Sequence, residues 1–179
     1  MKIRPAIPDD AAALAAIYGH HVLRGFGTFE EIPPSTEEMW RRVTSVLGFG
    51  LPYLVAEIDD GVAGFAYASA FRTRAAYRYT VEDSVYIAPD RMGQGMGKAL
   101  LLRVIEASEA LGLRQMVAMI GDSANAGSIG VHRSCGFEPS GVLKGLGFKA
   151  GRWVDVVTMQ RQLNVGSDAL GPGIDWGGA

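Results

Sequence analysis

Residues 81–101 take the chain through strand, glycine loop and helix in quick succession, and this run constrains the fold more than any other. Val81, Val85 and Ile87, with aromatic and β-branched neighbours, favour an extended segment, and Pro89 ends it because proline cannot donate to a ladder. On such a strand Thr80, Glu82, Ser84 and Tyr86 share one face, while Val81, Val85 and Ile87 share the other. Beyond the turn, Gly93, Gly95 and Gly97 alternate with Gln94 and Met96, so no β-carbon shields the backbone amides and successive N–H groups can converge on an anion. Leu101, Val104, Ile105 and Leu111 then recur at helical spacing, with Lys98, Arg103, Glu106 and Glu109 largely off that face. The glycines therefore sit at a helix N-terminus, whose partial positive charge suits a pyrophosphate.

Two common phosphate-binding signatures fail here. A nucleotide-triphosphate loop needs glycine at the position of Met92 and Ser or Thr at Ala99. The dinucleotide fingerprint needs its third glycine where Lys98 stands. The remaining pattern, G-x-G-x-G between a strand and an amphipathic helix, resembles the central motif of the GCN5-related N-acetyltransferase superfamily. The resemblance implies acetyl-CoA as ligand. It implies pairing of the pantetheine arm with the backbone of Val85, Tyr86 and Ile87, and capture of the pyrophosphate by the loop amides of Gly93, Gln94, Gly95, Met96, Gly97 and Lys98. The family usually places Gln or Arg three residues before the central glycine. This chain has Met92 there and Arg91 one position earlier, so the expected donors are backbone groups. A second block, residues 125–137, resembles the family's later helix and closing Gly-Phe, with Asn125 as a pantetheine contact. By itself an Asn before a helix is a cap.

The length of 179 residues, about half of them apolar, suffices for one well-buried core. One domain over residues 1–165 and a loose Gly-rich tail over 166–179 are expected. A net charge of −2 without basic runs gives no electrostatic reason to expect nucleic acid or a membrane surface. The partner class is a small molecule. The single cysteine, Cys135, excludes an intrachain disulfide, and its apolar surroundings predict burial rather than nucleophilic chemistry. No apolar run approaches the roughly 20 residues that span a bilayer, and a cytoplasmic location is expected. No trusted metal-ligand spacing is present, so no metal is expected; His20 and His21 suit a helix C-terminus.

Periodicity predicts a strand near residues 2–4, then a helix capped by Asp9 or Asp10 with Leu14, Ile17 and Tyr18 inward. Ser35 and Glu38 suggest a capping box for a second helix carrying Met39, Val43, Val46 and Leu47. Strands at 53–58 and 62–71 flank a hairpin signal at Asp59-Asp60-Gly61, and the strand at 79–87 follows. After the glycine-loop helix come a strand at 115–120, a helix at 125–134, and closing strands at 137–143 and 154–161. This order gives an α/β class with a mixed sheet. It matches the acyl-CoA N-acyltransferase fold that the resemblance implies, a mostly antiparallel sheet with splayed central strands and helices on both faces.

Acyl transfer to an amine needs a base and a route for protonating the thiolate. Glu82, on the polar face of the strand, is the candidate base; the alternative is a solvated strand residue. His132 stands where many family members have a tyrosine acid. Its ordinary pKa near 6.5 allows either direction of proton transfer, and a structural hydrogen bond is the alternative. Residues 71–86, Thr28-Phe29-Glu30 and residues 147–155 resemble the phosphinothricin and methionine sulfone or sulfoximine acetyltransferases, which acetylate the α-amine of small amino-acid analogues. Arg72 and Arg74 are candidate clamps for a substrate carboxylate; Thr73, Asp83 and Ser84 are substrate candidates by proximity, and Phe29 and Tyr77 are candidate pocket walls. The resemblance also implies a homodimer, with the late strands and Trp153 as interface. Acetylation of another amine, such as a peptide N-terminus, and non-catalytic acyl-CoA sensing are the competing readings.

Overall fold

The chain runs β1 (Lys2–Pro5), α1 (Ala11–Arg24), α2 (Thr36–Gly48), β2 (Tyr53–Ile58), β3 (Gly61–Ala70), β4 (Thr80–Ile87), α3 (Met96–Ala110), β5 (Gln115–Gly121), α4 (Ala126–Ser134), β6 (Glu138–Lys149) and β7 (Arg152–Gln162). The computed structural model describes residues 1–59, 61–165 and 171–176. Its strands form one sheet in the order β1-β2-β3-β4-β5-β7-β6. Every junction is antiparallel except that of β4 with β5, for which α3 supplies the crossover a parallel pair requires. The mixed, mostly antiparallel sheet expected from the sequence is thus the fold observed.

Alternation along the strands feeds two cores on opposite faces of the sheet. Tyr53, Val55 and Phe65 pack against Leu14, Ile17 and Val22 of α1 and Met39 and Val43 of α2. Ala56, Ala66, Ala68 and Val81 meet Leu100, Leu101, Val104 and Ile105, the apolar stripe of α3. The run of alanines leaves room for α3 to sit close to the strands, which brings its N-terminus to the end of β4.

Local signals were decoded differently at three places. Asp10 does not cap α1 through its side chain; Pro8–Asp10 is a single 3₁₀ turn. The Asp10 carboxylate turns back, accepting from the Ile7 amide and from both terminal nitrogens of Arg4, each at 2.8 Å. Ser35 Oγ does accept from the Glu38 amide at 3.2 Å, but the Glu38 carboxylate is taken by Arg41 and Arg42. The closing strands are longer than expected, because glycines that read as loop lie inside the hairpin. Gly145 falls in the register shift between Leu143 and Gly147, and the reversal uses Ala150 and Gly151 at φ 48° and 77°, the left-handed pair a tight hairpin favours.

Within the stretch expected as a loose tail over 166–179, six residues are described. Residues 171–176 lie on the body: the Ile174 amide donates to the Arg78 carbonyl at 2.9 Å, and Trp176, 7% exposed, packs edge-on to Phe49. One large aromatic is enough to anchor a stretch that composition alone reads as disordered. Residues 166–170 and 177–179 lie outside the described residues. Trp176→Ala is expected to cost about 3 kcal/mol, read as a lower urea midpoint; a free tail would leave the midpoint unchanged.

Candidate active site

Strands β4 and β5 pair over three positions only, Thr80↔Gln115, Val81↔Met116 and Glu82↔Val117. Beyond Glu82, β4 follows β3 as far as Gly64↔Ile87, whereas β5 follows β7 to Gly121↔Val156. The sheet therefore opens between them. The Ala88 amide bonds the Ala63 carbonyl, so by alternation Tyr86 and Ser84 spend their backbone groups on β3, while Val85 and Ile87 turn theirs toward the opening. At the outer end the Ile87 carbonyl accepts from His21 Nε2 at 2.9 Å. Burial holds His21 below its ordinary pKa, which keeps the ring neutral with the proton on that nitrogen.

The opening leads into a cavity of about 920 Å³ between β4, the glycine loop, the start of α3, β5, α4 and residues 25–29. Gly93 and Gly95 adopt φ of 75° and 80°, and a Cβ at either would meet nothing within 4 Å. Gly95 is the N-cap of α3 and offers no side chain, so the amides of Met96, Gly97 and Lys98 lack intrahelical acceptors and have no capping group. Gly97 packs under Val85, Ile87 and Val131. Val85, Tyr86, Ile87, Gly93, Gly95, Met96, Gly97, Lys98 and Asn125 all line the cavity, together with Arg91 and Met92; Gln94 is exposed outside it. Asn125 acts at both ends, accepting from the Ser128 amide and donating to the Gly121 carbonyl, each at 3.1 Å.

Glu82, half-buried on the face shared with Ser84 and Tyr86, also lines the cavity. Burial, reinforced by the neighbouring charge of Asp83 and opposed by Arg72, pushes its carboxyl up to about 7. Asp83 borders the same cavity but does not share that face. Alternation turns it toward α4, where its Oδ2 lies 2.9 Å from His132 Nε2, with side-chain exposures of 1% and 6%. His132 Nδ1 is 2.8 Å from the Ser128 carbonyl and 3.4 Å from Ser128 Oγ. Burial works against a charged imidazole, but Asp83 and the Ser128 carbonyl outweigh it and the pKa is raised. Asp83 Oδ1 is buried with no hydrogen-bond partner among the described residues.

Arg72, Thr73 and Arg74 are exposed and stand outside the cavity wall. Arg72 covers the Phe71 ring at 4.6 Å and donates to the Phe71 carbonyl. Tyr77 likewise packs on Phe71 away from the cavity, whereas Phe29 lines it. Cys135 is buried, and burial pushes its thiol up, away from nucleophilic chemistry.

A wall that sequence reasoning missed closes the far side. Lys149 Nζ, at the end of β6, donates to the Thr28 carbonyl at 2.7 Å, and burial lowers its pKa. Arg152 stacks on Phe26 at 3.9 Å and pairs with Asp122, while Phe29 lies flush on Gly147. Apart from the Arg152–Asp122 pair, these contacts join segments more than a hundred residues apart, and no local pattern announces their pairing.

The comparisons with known proteins agree with this geometry. The acetyltransferase (GNAT) domain family matches residues 3–158, and the chain belongs to that family. It is 54% identical over 168 residues to a phosphinothricin N-acetyltransferase of Alcaligenes faecalis, covering 94% of this chain and 85% of the relative. It is 39% identical to an L-methionine sulfoximine/L-methionine sulfone acetyltransferase of Salmonella typhimurium, covering 92% and 95%. Among solved structures, a GNAT superfamily phosphinothricin acetyltransferase from Sinorhizobium meliloti in complex with AcCoA superposes with a TM-score of 0.92 at 46% identity, covering 97% of this chain and 94% of that one.

A Cβ added at Gly147 would overlap the Phe29 ring. Gly147→Ala is expected to cost about 1–3 kcal/mol, and most of that penalty should vanish in the Phe29→Ala background. Additive losses in the double variant would place the strain elsewhere.

Proposed function

We propose that this chain transfers the acetyl group of acetyl-CoA to the α-amine of a small amino acid or analogue of the phosphinothricin, methionine sulfone or methionine sulfoximine type. The observation that carries the reading is the open sheet edge running into a side-chain-free helix N-terminus, with a half-buried carboxylate of pKa about 7 beside it. Bound acetyl-CoA supplies an activated thioester. The backbone groups that Val85 and Ile87 turn to the opening suit a pantetheine arm added as a strand, and the free amides at the start of α3 suit the diphosphate.

Glu82 acts as the general base on the ammonium of the acceptor, directly or through one water. Its raised pKa makes it a better base than an ordinary carboxylate and still leaves it largely ionised just above neutrality. Ser84 and Tyr67, paired across β4 and β3, lie beside it on the acceptor side. Arg72, whose charge is felt at Glu82, and Arg74 receive the acceptor carboxylate from the rim. The net charge of −2 supports a small amine over nucleic acid or an anionic membrane as partner.

We also infer a homodimer. Val142, Leu143, Leu146, Phe148 and Trp153 on the edge hairpin leave 44–67% of their surfaces exposed, more apolar area than an edge strand ordinarily leaves bare. A cytoplasmic location follows from the donor proposed.

The test is thiol release from acetyl-CoA over phosphinothricin, methionine sulfone, methionine sulfoximine, ordinary amino acids and a peptide N-terminus. Turnover of the small amino acids is expected; thermal stabilisation by acetyl-CoA without thiol release would make the protein a sensor. In Glu82→Gln turnover should fall about 10²-fold or more, and the rise in rate as pH climbs through about 7 should disappear. Acetyl-CoA affinity by calorimetry should be unchanged, and a persisting acid limb would move the base elsewhere. Arg72→Ala and Arg74→Ala should each raise KM for the amino acid while sparing that for acetyl-CoA; an unchanged KM removes the residue from the rim.

A further inference from the structure

Acetyl transfer, on the reading above, leaves one proton to be delivered. The ammonium gives its first proton to Glu82; the freed electron pair then forms the new C–N bond, the C–S pair departs on sulfur, and the second proton that nitrogen sheds as the amide forms passes to water on the Glu82 side. The sulfur needs a proton from another source.

The opposite face of β4 offers one. The Ser128 carbonyl can only accept, so His132 Nδ1 at 2.8 Å carries a hydrogen. A bare Nε2 would set its lone pair against a carboxylate oxygen at 2.9 Å, so a proton also lies between Nε2 and Asp83 Oδ2. The pair is an imidazolium on a carboxylate, loaded with the proton the reaction lacks. The ring borders the cavity, yet it is 6% exposed and both of its nitrogens point at protein, Nδ1 at the Ser128 carbonyl and Nε2 at Asp83. The hydroxyl that touches it, Ser128 Oγ, is 3.4 Å from Nδ1, and Ser128 is half-buried in the cavity wall on the first turn of α4.

We propose that Ser128 is the outlet of a proton-delivery chain, Asp83–His132–Ser128, which protonates the departing thiolate. The Ser128 hydroxyl gives its hydrogen to sulfur as Nδ1–H replaces it. The imidazole is left neutral with Nε2–H still on Asp83, and water restores the Nδ1 proton after product leaves. Ser128 is the catalytic residue, and Asp83 and His132 act through it. The raised pKa of His132 supports the loaded state at neutral pH. Asp83 on β4 is the charged group that acts on the ring directly. The adjoining Cys135 thiol feels Lys98 of α3 and Arg161 of β7 as well as Asp83.

Two measurements on the full chain decide the matter. Heteronuclear NMR of the His132 ring, without substrate, should find both nitrogens protonated at pH 7 and a titration midpoint above 6.5; a neutral ring at pH 7 overturns the proposal. This result is independent of whether acetyl transfer is the activity. Ser128→Ala keeps the backbone groups that bond Asn125 and His132, so it should fold. It should slow single-turnover acetyl transfer about tenfold or more, with KM for acetyl-CoA unchanged and the alkaline limb of the parent lost. Ser128→Thr should restore both. A Ser128→Ala rate within twofold of the parent across pH 6–9, as a purely structural His132–Asp83 pin would give, also overturns it. Absence of turnover with every amine would sink the acetyl-transfer reading, and with it the chain's purpose, even where the NMR result stands.

Discussion

The parting of β4 from β5 after Glu82 is the constraint on which the rest of the molecule depends. Two adjacent parallel strands would ordinarily zip to their ends, burying every amide between them. Here α4 is fastened to both lips of the opening. Asn125 Nδ2 holds the Gly121 carbonyl at the end of β5, and His132 holds Asp83 on β4. The first bond is an ordinary neutral one. The second is a buried charged pair, and such pairs are costly to break by removing one partner, at about 3–5 kcal/mol. The opening is thereby held at a fixed width, and the backbone of Val85 and Ile87 is kept as a strand edge awaiting a partner.

That same strand separates two carboxylates that are neighbours in sequence. Glu82 faces the acceptor side, half-buried and close to few cations, and its pKa rises to about 7. Asp83, one residue on, faces an imidazole that both neutralises it and is raised by it. Strand alternation alone has turned one carboxylate to one side of β4 and its neighbour to the other, against the imidazole of His132. The environments, not the residue types, assign the roles.

The donor side of the site was legible in the sequence because its determinants are local. The strand, the three glycines and the amphipathic helix lie within a few turns of one another, and their backbone geometry follows from φ preferences and capping. Asp83 was not read this way: proximity made it a substrate candidate, and its contact with His132, 49 residues on, carries no local signal. Phe29 was expected as a pocket wall and lines the cavity, but the packing of residues 25–29 against the β6–β7 hairpin had no local signal. Lys149 and Thr28 are 121 residues apart, and the hairpin hides three glycines, Gly141, Gly145 and Gly147, inside its strands. Trp176 was obscured differently, since a single aromatic in a Gly-rich stretch cannot outweigh composition in any window-based reading.

This division has a consequence for how such a site changes. The donor half rests on backbone amides and glycine geometry, which tolerate substitution of most side chains around them, as Met92 at a position the family usually fills with Gln or Arg illustrates. The cavity's far side is lined by Phe26, Thr28 and Phe29, with Gly147 and Lys149 packed behind them, and by Glu82 on β4. None of these contacts is needed to hold open the β4–β5 gap. A side chain exchanged in that wall alters the shape offered to the amine and leaves the cradle for the donor intact. Relatives named for phosphinothricin and relatives named for methionine sulfoximine or sulfone accordingly match this chain over more than nine-tenths of its length.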